Sequence, residues 1–171
     1  MDSWPRPCRG ALRSWGQTGR QWLSVGRTFR KVQPVEKCKE LFVKAKNAGA
    51  NAVKLQKRDN KKLYTKKFYN SAYDNINSYG KTYGEHREKL EFGKDQYEEL
   101  FNFAKELKIT LFSTPFDLSS VDFLEQFDCP FYKVASSDIT FIELIKKVAE
   151  TGKPIIISTG FANFDDIDRV L

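Results

Sequence analysis

Pro130-Phe131-Tyr132-Lys133-Val134-Ala135-Ser136-Ser137-Asp138 is a short apolar run closed by small polar residues, and Pro154-Ile155-Ile156-Ile157-Ser158-Thr159-Gly160 repeats the arrangement. A few residues of Phe, Tyr, Val or Ile held between turn formers describe a strand buried on both faces. The hydroxyl residues then fall at its carboxyl end. Ligands of parallel α/β folds bind at that end of the strands, which makes Ser136, Asp138, Ser158 and Thr159 candidate site residues. Lys133 interrupts the run. It must either lie at a sheet edge, where lysine discourages further pairing, or point into a polar pocket.

The same unit recurs on either side. Pro34 suits the first turn of a helix, and Val35, Cys38, Leu41, Phe42, Ala45 and Ala48 keep a helical period up to Gly49, a C-cap. Ala52-Val53-Lys54-Leu55-Gln56 then reads as a strand whose period of two puts Lys54 and Gln56 on one face. Lys94 to Leu107 is helical, Thr110 to Ser113 is a strand closed by a turn at Thr114-Pro115-Phe116-Asp117, and Ser119 to Phe127 is a short helix. After the Phe131 strand, Thr140 and Glu143 have capping-box spacing for a helix ended by Gly152, and Asn163 caps a last helix. This alternation predicts parallel strands near 52, 110, 131 and 155 joined by right-handed crossovers. No glycine-rich nucleotide fingerprint or P-loop interrupts it.

Between the first two of these strands, residues 57–92 form a polar, tyrosine-rich connection far longer than usual, of the kind that serves as a lid. It holds His86, the only histidine of the chain, which either touches substrate or is simply solvated. One histidine makes no metal site.

Hydrophobic residues make up 40 % of the 171, enough for a good core. The formal net charge of +7 is concentrated at the start: residues 1–34 hold seven Lys and Arg against Asp2, whereas residues 35–171 hold 22 basic and 21 acidic side chains. The second part is nearly neutral and offers no basic patch for nucleic acid. Residues 1–34 show no helix or strand period and are expected to be a disordered, unassigned basic segment; an organelle transit peptide is the other reading. Cys8, Cys38 and Cys129 have neither metal-ligand nor disulfide spacing and read as reduced thiols of a cytoplasmic protein. No segment has the apolar length of a membrane span.

The strand ends together offer Lys54 and Gln56, Ser113 and Thr114, Lys133 with Ser136 and Asp138, then Ser158 and Thr159. Lysines and hydroxyls suit a phosphate or carboxylate. A lysine of lowered pKa could instead form a Schiff base with a carbonyl substrate. Taken singly, Ser137 or Ser158 could merely cap the following helix.

Ala48 to Gln56, Lys81-Thr82-Tyr83-Gly84-Glu85-His86-Arg87, Ser113 to Asp117, Tyr132 to Asp138 and Ile157 to Gly160 resemble, in order, motifs of the sialic acid synthase family. The resemblance runs from about residue 35 to the end. It implies an α/β fold of the (β/α)8 TIM-barrel type, of which residues 35–171 would supply strands two to five with their helices, about half of the roughly 250 residues such a barrel needs. It further implies condensation of phosphoenolpyruvate with N-acetylmannosamine, its 6-phosphate or a related amino sugar, with release of phosphate. A divalent metal, manganese or magnesium, assists the reaction, and the full-length enzymes are homodimers.

Carried over by position, the resemblance gives Lys54, Lys133, Ser136 and Ser158 the phosphate and carboxylate of phosphoenolpyruvate, places Gln56 near both substrates, and makes Asp138 the proton-handling residue, with the loop from Tyr83 to Arg87 over the sugar. Some members carry glutamate at the Asp138 position. The first strand of the family ends in a glutamate and an Asn-His turn, and residues 1–34 contain neither Glu nor His. The family's two metal-binding histidines and its antifreeze-like domain lie beyond the part matched, so no metal ligand is expected here. The chain as given is therefore expected to be incomplete and inactive alone, and a half barrel to leave two open sheet edges and an exposed apolar inner face. The competing expectation is a non-catalytic remnant that binds an anionic metabolite or a partner chain.

Overall fold

The computed structural model describes residues 22–24, 34–76 and 78–171. In chain order they form β1 (Trp22–Ser24), α1 (Pro34–Asn47), β2 (Ala52–Lys57), α2 (Asn60–Leu63), α3 (Lys66–Tyr69), α4 (Tyr83–Glu88) and α5 (Lys94–Glu106). There follow β3 (Thr110–Pro115), α6 (Leu118–Leu124), β4 (Tyr132–Val134), α7 (Ile142–Glu150), β5 (Ile155–Ile157) and α8 (Phe164–Val170). The five strands make one sheet in sequential order, every neighbouring pair parallel. Sequential order with a helix in each connection from β2 onward is part of a TIM-type barrel.

One strand was not expected. The sequence shows none before residue 34, yet β1 pairs with β2, Trp22 opposite Ala52 and Ser24 opposite Lys54. Three residues are too few to display a period of two, and pairing rather than pattern makes them a strand. The remainder of the basic segment 1–34 lies outside the described residues.

Register settles which side chains share a face. Lys54 is opposite Phe112 and Gln56 opposite Thr114; Ser113 is opposite Tyr132, and Lys133 opposite Ile156. Paired residues of parallel strands point the same way, so Leu55, Ser113 and Tyr132 form one row, and Lys54, Gln56, Phe112, Thr114 and Lys133 belong to the other face. The first row meets the helices. Tyr97 of α5 is fully buried with its hydroxyl donating to the Gln56 carbonyl at 3.1 Å, and the Tyr132 hydroxyl donates to Glu125 just after α6. The second row therefore faces the barrel axis. Its rings are not left open as expected: Phe112 and Phe131 are buried, with centroids 4.4 Å apart.

The helices pack by the periods read from the sequence. Val35, Cys38, Phe42 and Ala45 of α1 and Tyr97, Leu100, Phe101 and Ala104 of α5 are buried in one core. Tyr97 meets Phe123 edge to face and Phe127 at a tilt, and Phe101 stacks on Phe127, which locks α5 to the segment carrying α6. Gly49 and Gly152 follow α1 and α7 at positive φ, the left-handed cap that ends a helix. Asn163 caps α8 through the Asp166 N–H at 2.9 Å. The capping box expected of Thr140 and Glu143 does not form, because α7 starts later, with Phe141 at its N-cap position and no side-chain cap. The turn expected at Thr114–Asp117 is also displaced: Thr114 and Pro115 extend β3, and Asp117 caps α6 by accepting from Ser120 N–H at 2.8 Å.

Candidate functional site

β4 lies between β3 and β5, so Lys133 is not an edge lysine. It occupies the axial face one strand from Thr114 and two from Gln56, half-buried, and burial lowers its pKa while the Asp138 carboxylate acts to raise it. Lys54 is buried deeper on the same face at 4 % exposure. Two ammonium groups on one face of the sheet suit a bound anion.

Just past β4 the chain tightens into a 3₁₀ turn, Ser136–Asp138, in which Asp138 N–H donates to the Ala135 carbonyl at 3.0 Å. This turn carries the small residues read from the sequence back over the strand end. Ser137 Oγ donates to Asp138 Oδ1 at 3.3 Å, and Asp138 Oδ2 is buried without a hydrogen-bond partner among the described residues. Burial raises the Asp138 pKa above the ordinary carboxylate range; the Ser137 hydrogen bond and the charges of Arg58 and Lys133 only partly oppose it. A carboxyl raised in this way holds its proton more tightly than an exposed one.

At the next strand end Ser158 N–H donates to the Val134 carbonyl at 3.2 Å, continuing the β4–β5 ladder. Its turn lies against Ser136: a Cβ on Gly160 would stand 3.7 Å from Ser136 Cβ and 3.9 Å from its Oγ. Gly160, two residues after Ser158, thus lies beside Ser136. Of the other strand-end residues, Thr114 joins the site, fully buried on the axial face with Oγ1 lacking a partner among the described residues. Ser113 does not. It faces the helices in the row of Leu55 and Tyr132, and Thr159 is exposed.

Arg58 is the site residue that the sequence reading missed. It follows Lys54 and Gln56 in the same period of two, but ending the strand at Gln56 hid it. The side chain is buried and stacks on Phe116 at 3.6 Å; Nη1 donates to Gln56 Oε1 at 3.2 Å and lies 3.9 Å from Glu91 Oε1. It thereby fixes the Gln56 amide with its oxygen engaged. The same arginine contributes to the field at Asp138.

The long connection is built rather than loose. Thr82 and Glu85 form a capping box at the start of α4, and an antiparallel bridge joins Ala72 to Thr82. Tyr64, Phe68, Tyr73 and Tyr83 pack edge to face or tilted, with centroids 4.6–5.6 Å apart. His86 is not simply solvated: its ring lies 4.6 Å from that of Tyr73, and Nδ1 accepts from Tyr79 N–H at 3.2 Å. Among the described residues no three His, Cys, Asp or Glu side chains are placed to hold a metal ion, so these residues do not fit the divalent metal implied by the resemblance. Nor does any described helix have the length and apolarity to cross a membrane.

Residues 41–171 match the model of the NeuB family. The chain is 38 % identical over 137 residues to N-acetylneuraminate-9-phosphate synthase of Drosophila melanogaster, covering 80 % of this chain and 37 % of that protein. It is 34 % identical over 134 residues to N,N'-diacetyllegionaminic acid synthase of Campylobacter jejuni, covering 78 % and 40 %. Among solved structures, the N-acetylneuraminic acid synthetase of Leptospira borgpetersenii, in complex with citrate, superposes with a TM-score of 0.65 at 25 % identity, over 80 % of this chain and 43 % of that one. The chain thus spans less than half the length of these relatives.

Proposed function

The chain belongs to the NeuB family of nonulosonic acid synthases, and from that premise we propose that its axial face binds phosphoenolpyruvate for condensation with an amino sugar, N-acetylmannosamine, its 6-phosphate or a related compound. The observation that carries this reading is that Lys54 and Lys133 share the axial face of the sheet, and that Asp138, whose Oδ2 is unpaired among the described residues, follows β4 within the field of Lys133. Lys54 and Lys133 balance the phosphate and carboxylate charges, and the two serine hydroxyls donate to the same oxygens. Gln56, whose amide oxygen accepts from Arg58, stands near both substrates.

In the reaction, the methylene carbon of phosphoenolpyruvate bonds to the sugar carbonyl carbon, whose oxygen takes a proton. Water adds to the former enol carbon, and collapse of that tetrahedral centre expels phosphate. Asp138, with its pKa raised by burial, is the described group suited to carry a proton between these steps. The two described cysteines are free and buried, in keeping with a cytoplasmic protein.

Calorimetric titration of the chain with phosphoenolpyruvate tests the reading. Saturable binding is expected, weakened at least about tenfold by Lys133→Ala, the loss of one charge-assisted contact. Binding that Lys133→Ala and Lys54→Met leave unchanged would remove phosphoenolpyruvate from this face, and adduct formation on either lysine after borohydride reduction with a carbonyl substrate would favour Schiff-base chemistry instead.

A further inference from the structure

Asn60, the first residue of α2, is only 1 % exposed, and neither its amide nitrogen Nδ2 nor its oxygen Oδ1 has a hydrogen-bond partner among the described residues. An amide carries two N–H donors and a carbonyl acceptor, and burying them unused is unfavourable. Asn60 lines a cavity of about 300 Å³ that lies between the end of β2, the lid and α6. That volume stands at the small end of ligand pockets.

The cavity is distinct from the axial face. Lys57, in its wall, is opposite Pro115 and so belongs to the row of Leu55 and Ser113; its Nζ lies 4.3 Å from the Phe123 ring centroid and donates to the Phe92 carbonyl at 2.8 Å. That side chain turns to the helices, away from Lys54 and Lys133. The charged groups of the wall are already committed. Arg58 donates to Gln56 Oε1, Glu91 accepts from Arg58 N–H at 3.2 Å, Glu88 accepts from the Tyr69 hydroxyl at 3.3 Å, and Asp59 accepts from Ser119 Oγ at 3.3 Å and pairs with Lys62 at 3.6 Å. Two basic side chains against three acidic ones make the wall unfavourable to an anion, and among the described residues no three carboxylates are placed to hold a metal ion. Ser119 and Ser120 donate to Asp117 at 2.9 and 2.8 Å. The Asn60 amide is the polar group left over, and it is uncharged.

We infer that this cavity is a binding site for a small uncharged primary carboxamide carried on an aromatic ring. The edge of such an amide sets an N–H beside a carbonyl and meets the Asn60 side chain with two bonds at once, donor to acceptor and acceptor to donor. Phe123 supplies the apolar part of the wall, which suits the ring. The carboxylates around the amide repel an anion of the same shape, so the site discriminates by charge as well as by hydrogen bonding. Neither substrate of the synthase reading has this form: phosphoenolpyruvate is an anion, and N-acetylmannosamine has a secondary amide and no aromatic ring. The site therefore stands apart from the condensation and does not rest on it.

Titrating the chain with benzamide and, separately, with benzoate, by calorimetry and by NMR of the asparagine side-chain amide signals, tests this. Benzamide is expected to bind saturably and about tenfold or more tightly than benzoate, with the Asn60 amide signals shifting in step. Asn60→Leu keeps roughly the same bulk, removes both polar atoms and is expected to abolish the binding; thermal unfolding checks that it folds. Should it fail to fold, the shift of the Asn60 signals in the unaltered chain decides the matter alone. Benzamide that does not saturate, benzoate that binds equally well, Asn60 signals that stay in place, or binding that survives Asn60→Leu each overturns the proposal. Displacement of bound benzamide by N-acetylmannosamine or by phosphoenolpyruvate also overturns it, because the cavity would then belong to the substrates. Its failure leaves phosphoenolpyruvate binding through Lys133 untouched, so the two readings fail separately.

Discussion

Asp138 holds a carboxyl whose pKa burial has raised, and that makes it a liability to the fold at neutral pH. A group with a raised folded pKa contributes stability below its unfolded pKa and loses that contribution as pH rises through the folded value. Asp138→Asn removes the titration while keeping shape. Its melting temperature is expected to exceed that of the parent at pH 7.5, with the gap closing as pH falls toward 4, and the variant is expected to lose proton transfer. Parallel melting curves of the two proteins across that range would show that the carboxyl is solvated and not poised. The lysines and hydroxyls of this face were legible because a period of two and the rule of carboxyl-end sites need no tertiary information. Arg58 was not: its place depends on β2 running one residue further, which pairing of Lys57 with Pro115 decides.

At the scale of an element, the lid shows where pattern fails. Its helices α2, α3 and α4 have four, four and six residues, too few to display a helical period, and residues 57–92 read as one connection. What specifies them is capping and close packing: Asp59, Thr65 and Thr82 each cap a helix with their side chains. Gly84 is the tightest point. A Cβ there would stand 2.4 Å from the Tyr69 ring, so Gly84→Ala must push α3 and α4 apart and break the Tyr69 hydroxyl's bond to Glu88. The sheet does not share these contacts. Gly84→Ala is therefore expected to speed proteolytic cleavage between residues 60 and 90 and to weaken sugar binding. Phosphoenolpyruvate affinity should hold within about twofold, the ordinary scatter of a distant substitution. Unaltered protease resistance would mean that Tyr69 yields without loss and the two helices are not coupled.

At the scale of the molecule, the order of strands and helices was legible from residue 34 onward, because each strand is an apolar run bounded by turn formers and each helix keeps its period. β1 was not, since a three-residue strand exists only through its partner. Together they make a sheet with β1 at one margin and β5 at the other. β5 is the more exposed: Ile155, Ile156 and Ile157 are all only half-buried, and beyond them Phe161 and Phe164 stand 83 % and 85 % open to solvent. An edge with no partner strand among the described residues, beside two bare aromatic rings, is a template for a second copy of the chain. Sedimentation velocity is expected to show association that increases with protein concentration and persists in high salt, as apolar contacts do. Phe161→Ser with Phe164→Ser should shift it toward the 19.8 kDa monomer. A chain that sediments as a monomer at every concentration would mean that β5 does not pair between copies, and association lost on adding salt would assign it to the charged lid instead.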